Sequence, residues 1–572
     1  MKVSYLSIKN FRGIKSLESY FDSKFVCLIG SGDASKTSIL NAIEYTLAPK
    51  WNVNFDDSDF YNQDISEPIT ISVSLTDWNK DLSEVRNFFR EGKFGQFIGG
   101  LTKLGPIEEP DETSEQCITV QLQVPNSLEP TWHVIKGLET KVITSADRAV
   151  FGIGRIDSHL DNNFTWGRNT FLTKLSSGNG DKLNIVLSDI ARITKKNNVA
   201  LDGYKAIAKN IELEAIKMGV KLNSLSPKFD IQKISLAAGA LSLHESEVPL
   251  RNFGSGSKKL ISCAIQSQLN KGNNIALIDE LEIGLEPHRI RGLIRNLKDS
   301  NQQIITTTHS GVVLRELCVA DNELYVCRKD VDGKVSIHSV NEISDLQSCI
   351  RSNAEAFLGT KIVVCEGPTE IGCLRALDQL KSKESVPVWT LNTAYYNAGG
   401  IGKVKSTAVK LNSLGYEVSV FCDNDTPDQF KENDVVELLS LGINVTHWEV
   451  GNSTEVQLFK DIRWDMLPGL FEVFAKIMDT SIKSLMDSVI ARIPGLSDNM
   501  DHWIESDELR KQLGFIVSGK TKDGVKCKNP EAWFKRMDLA EEVFNYCLPR
   551  LTPHSAMQNN LNALWNTIQN GG

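Results

Sequence analysis

A loop rich in glycine and serine lies near the start of the chain, between an apolar run typical of a buried strand (25–29) and a helical pattern. Backbone N–H groups of such a loop can surround phosphates, while Lys36 can reach the outer phosphates and Thr37 can ligate Mg²⁺. The spacing therefore predicts an ATP site. Its cofactor-binding candidates are Gly30, Gly32, Asp33, Ser35, Lys36 and Thr37.

Ser35 stands where this kind of loop has glycine. A Cβ at that position would crowd a phosphate or require a slightly different turn. We therefore expect slow ATP hydrolysis. For this loop taken alone, an ordinary Gly/Ser turn stays open as the alternative.

Two adjacent carboxylates end a later strand pattern. The apolar run 275–278 is followed directly by Asp279 and Glu280. Asp279 is predicted to enter the Mg²⁺ shell, and Glu280 is predicted to polarise the attacking water. Their order relative to the phosphate loop favours a nucleotide site over a chance Gly/Ser turn.

Two further segments complete this candidate site. Gly254, Ser255 and Gly256 precede a helical pattern, so their N–H groups can face the γ-phosphate of another nucleotide. His309 follows a strand pattern at 304–307 and is predicted to lie near that phosphate. A lone histidine after a strand is more often structural, yet the four segments together favour catalysis.

A second set of carboxylates follows two other strand patterns. Glu366 and Glu370 come after one apolar run, and Asp423 and Asp425 come after the next. Alternate residues of a strand face one side, with Cα atoms about 6–7 Å apart, so Asp423 and Asp425 can converge on a hard cation with Glu366. Such clusters cleave phosphodiesters, with one ion activating water and a second stabilising the leaving oxygen. The alternative is that these residues only cap helices and fill turns.

Parallel sheets are needed to hold both sets, because each set follows strands that alternate with helices. The coarse pattern along the chain is β-rich at 51–150, helical at 171–220, strand–helix from about 248 to 326 and mostly helical beyond Trp464. The predicted domains are an ATPase N-terminal part at 1–165, a helical dimerisation insertion at 166–245, an ATPase C-terminal part at 246–345 and a second domain at 346–572.

Composition and charge argue against a membrane protein. The 572 residues are 41% hydrophobic, and the apolar runs have strand length rather than the roughly 20 residues of a membrane span. The first nine residues alternate like a strand without a signal-peptide block, so we expect a cytoplasmic location. The 11 cysteines are scattered and odd in number, which indicates reduced thiols. A net charge of −9 still allows DNA binding through a local basic strip.

The nucleotide-site segments resemble the ABC ATPase superfamily, in the branch of the DNA-repair ATPases of the RecF and SMC type. Residues 8–13, Ile-Lys-Asn-Phe-Arg-Gly, are similar to the first strand and turn of that branch. The resemblance implies that 254–257 is the signature motif, which acts in trans in a head-to-head dimer. Each nucleotide would then lie between two subunits.

The acidic segments resemble the Toprim domain of primases, type II topoisomerases and OLD-family (overcoming lysogenization defect) nucleases. An ABC-type ATPase followed by Toprim, over nearly the whole chain, is similar to the OLD family, whose relatives include the Gabija nuclease subunit and retron-associated effectors. The implied fold class is α/β, with an ABC/SMC-like ATPase head carrying a helical insertion, then a Rossmann-like Toprim domain with a helical C-terminal part.

This second resemblance also implies residue roles and cofactors. Two Mg²⁺ or Mn²⁺ ions are implied at the Toprim site, in addition to ATP at the first site. The implied metal ligands or acid–base residues are Glu366, Glu370, Asp423, Asp425 and, from the segment 453–459, Glu455. The family also has a late lysine, for which the choice is Lys535 and the rivals are Lys520, Lys522, Lys526 and Lys528.

The sequence thus predicts an ATP-regulated, metal-dependent DNA endonuclease of antiphage defence. The expected partners are DNA, a homodimer or higher homo-oligomer and a defence partner such as a retron reverse transcriptase with its RNA–DNA, but no membrane. The alternative is an ATP-dependent DNA clamp or sensor of RecF/SMC type with little or no nuclease activity. Primase is less favoured because no zinc-ribbon pattern occurs, and topoisomerase because no tyrosine carries a cleavage-domain signal.

Overall fold

Apolar strands flanked by helices build both halves of the chain in the computed structural model. The described residues are 1–78, 83–90, 93–156, 160–166, 170–176, 202–229, 241–268, 275–340, 346–383, 385–525 and 532–570. They fall into two units, residues 1–354 and residues 355–572. The α/β class predicted from the sequence is confirmed in both units.

The strands of the first unit carry most of its core. Their bounds are β1 Lys2–Phe11, β2 Ile14–Tyr20, β3 Phe25–Ile29, β4 Ile69–Thr76, β5 Gly99–Thr102, β6 Gly105–Ile107, β7 Glu115–Val124, β8 Thr131–Lys136, β9 Glu139–Val142, β10 Ile153–Ile156, β11 Leu225–Phe229, β12 Leu241–Glu245, β13 Val248–Pro249, β14 Ile275–Ile278, β15 Gln303–Thr307, β16 Leu324–Lys329 and β17 Lys334–Ser339.

One large mixed sheet joins these strands in the order β10-β14-β15-β3-β16-β17-β2-β1-β4-β7-β5-β6, with β8 on β7 and β9 on β8. The segment β10-β14-β15-β3-β16 is parallel throughout. The carboxyl ends of these strands therefore meet at one edge, which is where open α/β sheets bind ligands. The remaining strands are largely antiparallel, and the alternation at 69–75 buries one row of β4 against the core.

Helices cover this sheet. The described helices of the first unit are α1 Lys36–Leu47, α2 Ser83–Phe89, α3 Ser145–Arg148, α4 Phe171–Leu175, α5 Asp202–Lys217, α6 Ser255–Gln268, α7 Pro287–Lys298, α8 Gly311–Glu316 and α9 Leu346–Ser352. Helix α1 buries Ile39, Leu40 and Ile43 in the core that contains β1 and β4. That packing fixes the start of α1 at the end of β3.

The helical interpretation of residues 166–245 holds only for part of that range. Helices α4 and α5 lie within it, but β11 and β12 follow and pair antiparallel as a small separate sheet with β13. Leu225 and Leu243 are buried there, and Glu212 of α5 accepts a 2.8 Å hydrogen bond from Leu225 N. Residues 167–169, 177–201 and 230–240 of the predicted insertion lie outside the described residues.

The second unit is built on a parallel sheet in the order β19-β18-β20-β21. Its strands are β18 Lys361–Cys365, β19 Thr393–Asn397, β20 Glu417–Cys422 and β21 Asn444–His447. Its helices are α10 Pro368–Lys381, α11 Ile401–Ser413, α12 Glu432–Ser440, α13 Thr454–Asp461, α14 Leu467–Ile477, α15 Ile482–Arg492, α16 Asp507–Val517, α17 Met537–Cys547 and α18 Ala556–Asn570. The prediction of helices beyond Trp464 is confirmed for the described residues.

Helices α14 to α18 pack with the sheet of this unit in one hydrophobic core. Phe471, Phe474 and Trp533 pack edge to face, with ring centroids 5.1 to 6.1 Å apart. This core holds the segment after α16 and the start of α13 beside the ends of β18 and β20.

Two general predictions about the chain are tested by its described residues. None of the helices in the described ranges has the length and apolar character needed to cross a bilayer. The ten cysteines within those ranges are free thiols, as the reduced state requires. Most of them are buried, where cysteine acts as a small apolar side chain.

Candidate functional site

The phosphate-loop candidate leaves β3 through a backbone that favours glycine. Gly30 has φ 147°, and a Cβ there would lie 2.5 Å from the Cys327 carbonyl oxygen. Ser35 also has a left-handed backbone, with φ 61° and ψ 21°, directly before α1. Ser35 thus adopts a left-handed conformation that is least strained for glycine. The serine at the usual glycine position is therefore accommodated with backbone strain.

The Ser35 side chain fits into the loop because the neighbouring Gly13 has no side chain. A Cβ on Gly13 would be 2.9 Å from Ser35 Oγ and 3.2 Å from Lys329 Nζ. The turn between β1 and β2 therefore lies against the phosphate loop. This contact explains why a serine at position 35 is compatible with the loop.

Lys36 is folded into its own loop. Its Nζ donates to the carbonyl oxygens of Gly30 at 2.9 Å and Ser31 at 2.7 Å. Burial lowers the pKa of the Lys36 ammonium. Gly32 and Asp33 are exposed at the tip of the loop. Phosphate oxygens would have to replace the two carbonyls for Lys36 to contact a nucleotide.

Asp279 lies at the end of β14 within reach of the first turn of α1. Its Oδ1 accepts from Thr37 Oγ1 at 3.3 Å and from Thr307 Oγ1 at 2.6 Å. Its Oδ2 is paired with Arg155 at 2.8 Å, in an ion pair whose side chains are 9% and 15% exposed. The structure thus brings Thr37 and Asp279 together, and a guanidinium balances the aspartate charge.

Glu280 and His309 follow adjacent parallel strands. Glu280 has φ 46°, and its N–H donates to Thr307 Oγ1 at 2.8 Å. The N–H of His309 donates to Glu282 Oε1 at 2.7 Å. Burial lowers the pKa of the His309 imidazole, and the nearby Lys36 ammonium lowers it further. His309 is therefore neutral near pH 7 and able to accept or donate a hydrogen bond beside the loop.

The signature-motif candidate begins α6. Gly254 and Ser255 are exposed, whereas Gly256 is buried and a Cβ on it would collide with the Gly284 carbonyl oxygen. The glycine at 256 is thus required by the turn that follows Glu280 in the same chain. Gly254 and Ser255, at the start of α6, are exposed and can face another molecule.

The second candidate site lies at the carboxyl edge of the β18–β20 pair. Glu366 directly follows β18, Asp423 directly follows β20, and Asp423 N donates to Glu366 Oε2 at 3.2 Å. Glu370 is buried in the first turn of α10, and its Oε2 accepts from Gly367 N at 2.8 Å. Glu455 is buried in the first turn of α13. Four carboxylates thus gather at one end of the sheet.

A threonine hydroxyl lies between two of these carboxylates. Thr454 Oγ1 is 2.8 Å from Glu370 Oε1 and 2.7 Å from Asp423 Oδ1, and it accepts a 2.7 Å hydrogen bond from Trp448 Nε1. A hydroxyl has only one proton to donate. It can therefore donate to only one of the two carboxyl groups at a time, and the other would complete the network if it were protonated and donated to the hydroxyl oxygen.

Burial has the same consequence for the charges of this site. It raises the pKa of Glu366 and of Asp423, and it raises the pKa of Glu370 to about 7. Mutual repulsion adds to these pKa increases, with Glu370 acting on Asp423, Glu366 on Glu370, and Glu455 on all three. The group is therefore short of positive charge near neutral pH.

Two lysines border the acidic group from the late part of the unit. Lys520 Nζ pairs with Asp425 Oδ2 at 2.8 Å, with side chains 17% and 19% exposed. Lys535 is exposed, and its charge lowers the pKa of Glu366. Both lysines are thus near the site. Among the described residues, Lys522 has no ion pair with this acidic group, and the rivals Lys526 and Lys528 lie outside those residues.

The side chains are gathered but not arranged as a finished metal cage. Within the described part of the chain, no three His, Cys, Asp or Glu side chains have the spacing of a formed metal site. The donor set itself fits Mg²⁺ or Mn²⁺, because both prefer carboxylate oxygens. The buried, mutually repelling carboxylates would be drawn together by such an ion.

Sequence reasoning missed several residues that shape these sites. Arg155 carries no motif signal, and Thr454 lies in the segment chosen for Glu455 but was given no role. Each contacts carboxylates that are distant in sequence. Lys259 of α6, whose Nζ donates to Asp279 O at 2.9 Å, gave no signal either. Gly399 and Gly400, at φ 74° and 120°, were visible as a glycine pair, and Gly400 N donates to Glu366 O at 2.9 Å.

Two family models match the first unit. Residues 1–103 match the model described as an AAA ATPase domain, and residues 143–315 match the one described as an AAA domain, putative AbiEii toxin, type IV TA system. No curated protein matches the chain in sequence.

Solved SMC head domains are among the similar structures, each over 59% of this chain. They are the Smc head bound to the C-winged helix domain of ScpA (16% identity, 97% of that chain, TM-score 0.36), the Smc head with an extended coiled coil bound to the C-terminal domain of ScpA from Pyrococcus furiosus (12%, 96%, 0.38) and the SMC head from Thermotoga maritima (12%, 99%, 0.29). The family matches and the loop geometry together support an AAA-type ATPase in the first unit.

Proposed function

We propose that the protein is an ATP-regulated, metal-dependent DNA endonuclease of the OLD type, with a Toprim nuclease as its second unit. The observation that carries the proposal is the gathering of Glu366, Glu370, Asp423 and Glu455 at the carboxyl edge of a parallel sheet. Burying several carboxylates together is unfavourable unless cations compensate them. A site that keeps this arrangement is suited to chemistry that needs divalent ions.

In this proposal the acidic residues bind two metal ions at the phosphodiester, and Thr454 orients two of them. Glu366, Glu370, Asp423 and Glu455 would hold one Mg²⁺ or Mn²⁺, and Asp425 would contribute to a second. When bound, these ions supply counter-charge to the phosphate and an activated water. Thr454 orients Glu370 and Asp423 by its hydroxyl contacts at 2.8 and 2.7 Å.

The two lysines support a polyanionic substrate. Lys535 is exposed beside Glu366, and no ion pair of the described residues involves it, so it is placed to contact a DNA phosphate. Lys520 would have to leave Asp425 to do so. We therefore keep Lys535 as the catalytic lysine of the proposal and assign Lys520 to positioning Asp425.

The ATPase would gate cleavage rather than drive it. The exposed start of α6 at Gly254 and Ser255 would close over a partner subunit's nucleotide in a homodimer or higher oligomer. ATP state would then alter how two nuclease units are arranged on DNA. A defence role is included because one matching family model is described as a putative toxin of a type IV toxin–antitoxin system. A retron reverse transcriptase with its RNA–DNA stays a proposed partner.

Plasmid cleavage tests the nuclease assignment. Purified protein with supercoiled plasmid and Mg²⁺ or Mn²⁺ is expected to nick or linearise DNA, and EDTA should stop it. Asp423→Ala and Glu366→Ala should lose activity by roughly 10²- to 10³-fold while staying folded. The matched control is Asp428→Ala, an exposed aspartate of the same loop, which should cut normally. Undiminished cutting by folded Asp423→Ala protein would overturn the proposal.

Two observations favour a second candidate, an ATP-dependent DNA clamp or sensor. Ser35 holds a strained backbone in the phosphate loop, and Lys36 is bonded to the loop's own carbonyls. Both features favour slow hydrolysis and a long-lived nucleotide-bound state. The clamp predicts ATP-dependent retention of circular DNA without any cleavage product, whereas the nuclease predicts nicked or linear DNA in the same reaction.

A further inference from the structure

The proposed catalytic base Glu280 is held in an uncommon backbone conformation. Its φ of 46° lies in the left-handed region, which a residue with a long side chain seldom adopts. Such a conformation persists only when the surrounding structure fixes it. The contacts that fix Glu280 therefore decide where its carboxylate points.

Two neighbours hold the main chain at Glu280. Thr307 Oγ1 accepts from the Glu280 N–H at 2.8 Å. Lys259 Nζ donates to the carbonyl oxygen of Asp279 at 2.9 Å and also to that of Glu280. The peptide groups on both sides of the Glu280 Cα are thus tied to side chains from other elements.

Lys259 comes from the helix that carries the signature-motif candidate. It lies one turn after the start of α6 and is only 3% exposed. Its ammonium group donates to main-chain carbonyls, and no ion pair of the described residues involves Lys259. Burying an ammonium group is unfavourable unless hydrogen bonds compensate it, so these two carbonyl contacts stabilise the buried Lys259.

A second contact joins α6 to the same turn. Gly256 approaches the Gly284 carbonyl so closely that any Cβ would collide with it, and Gly284 has φ 75°. The first turns of α6 therefore contact the Glu280–Gly284 turn at both of its ends, through Lys259 at Glu280 and through Gly256 at Gly284. A shift of α6 cannot leave Glu280 where it was.

We infer that Lys259 is the positioning residue of Glu280, through which closure of the exposed signature segment over a nucleotide changes the orientation of the Glu280 carboxylate. The inference rests on the proposed ATPase role of Glu280. In this arrangement the Gly254–Ser255 end of α6 senses the partner's nucleotide, and Lys259 transmits that contact. Hydrolysis is thereby limited to the closed dimer.

Single-turnover ATP hydrolysis and nucleotide affinity of the full-length protein test this inference. Lys259→Met should slow hydrolysis by about 10- to 100-fold, because a displacement of about 1 Å of a reacting group has effects of that size. Nucleotide affinity should change by less than about twofold, since Lys36 is untouched. Lys259→Arg, which keeps the donors, should recover part of the rate.

Two comparisons separate positioning from a merely structural role. Lys259→Met should cause no further loss in a Glu280→Gln background, because both substitutions disable the same step. The matched control is Lys258→Met, which removes the neighbouring ammonium and its 2.8 Å pair with Asp161 and should leave the rate unchanged.

Multiplicative losses in the double variant, or a loss of affinity equal to the loss of rate, would overturn the inference. If Lys259→Met does not fold, Lys259→Gln decides, because it also removes the ammonium group. A wild-type hydrolysis rate in folded Lys259→Gln protein would contradict positioning. Wild-type protein that binds ATP but never hydrolyses it would instead refute the ATPase role itself.

Discussion

The two candidate sites hold their acidic residues in opposite ways. In the first unit, Asp279 is paired with Arg155 at 2.8 Å, and Lys36 and Lys259 lie near it. In the second unit, Glu370 and Asp423 share a threonine hydroxyl, and their pKa values are raised by burial. Asp279 is thus neutralised by a guanidinium of the chain, whereas no ion pair of the described residues involves Glu370 or Asp423, and the nearby Lys520 pairs with Asp425 instead.

Under the proposed function, the difference indicates how each site would obtain its metal. A nucleotide brings Mg²⁺ with it, so the first site needs no metal of its own beforehand and its carboxylate is held by a guanidinium until then. The second site has no nucleotide to deliver an ion, and its carboxylates repel each other without one. We therefore expect the second site to bind divalent ions in the absence of ATP.

The largest expected effects separate the two sites by substitution. Lys36→Ala should lose ATP binding by more than about 100-fold yet keep metal-dependent cleavage, which no longer responds to nucleotide. Asp423→Asn should lose cleavage by roughly 10²- to 10³-fold and keep ATP binding. Nucleotide binding and plasmid cleavage, measured on both variants, check this. Loss of both activities in either folded variant would show that the sites are not separate.

A smaller effect concerns pH and stability of the second site. Burial raises the pKa of Glu370 to about 7, above its ordinary value of 4.5, so the metal-free native state binds a proton that the unfolded chain has released. The free energy of unfolding should therefore fall as pH rises from about 4.5 to about 7. Glu370→Gln should weaken this dependence and raise the melting temperature at pH 8 in EDTA.

The same melting experiment has a control and a clear contrary result. Glu432→Gln changes an exposed glutamate in the first turn of α12 and should leave the pH dependence as in wild type. Mn²⁺ should stabilise wild-type protein more at pH 8 than at pH 5.5, since the carboxylates must lose protons to bind it. Equal pH dependence in wild type and Glu370→Gln would remove Glu370 as the titrating group.

Sequence patterns predicted those parts of both sites that follow from local order. The phosphate loop, Asp279, Glu366 and Asp423 each come directly after an apolar strand, and the parallel sheets bring those strand ends together. The contacts of Arg155 could not be predicted, because it meets Asp279 from 124 residues away through the pairing of β10 with β14. Strand register and side-chain direction set such contacts, and neither has a local signal.

The metal requirement of the first site gives a moderate effect. Replacing Arg155 by Gln removes the cation that competes with Mg²⁺ for Asp279, so the Mg²⁺ concentration for half-maximal ATP binding should fall about three- to tenfold. Arg291→Gln, which breaks a surface pair with Glu316, should not change it. An increased Mg²⁺ requirement in Arg155→Gln would mean that the guanidinium assists the metal rather than opposing it.

The smallest effect is expected at the strained serine. Ser35→Gly relieves a left-handed backbone without removing a side chain that the loop needs, so ATP affinity or turnover should rise by about two- to fivefold. Ser38→Gly, at the third residue of α1, should give no such gain. Identical affinity and turnover in Ser35→Gly and wild type would show that the serine costs the loop nothing.

Binding of Mn²⁺ without nucleotide tests the contrast between the sites most directly. Electron paramagnetic resonance of free Mn²⁺, titrated with wild-type protein and with Asp423→Asn and Asp279→Asn, gives the number of bound ions and their affinity. The account predicts that wild type and Asp279→Asn bind Mn²⁺ alike without ATP, whereas Asp423→Asn does not. Binding that survives in Asp423→Asn, or that requires ATP in wild type, would contradict it.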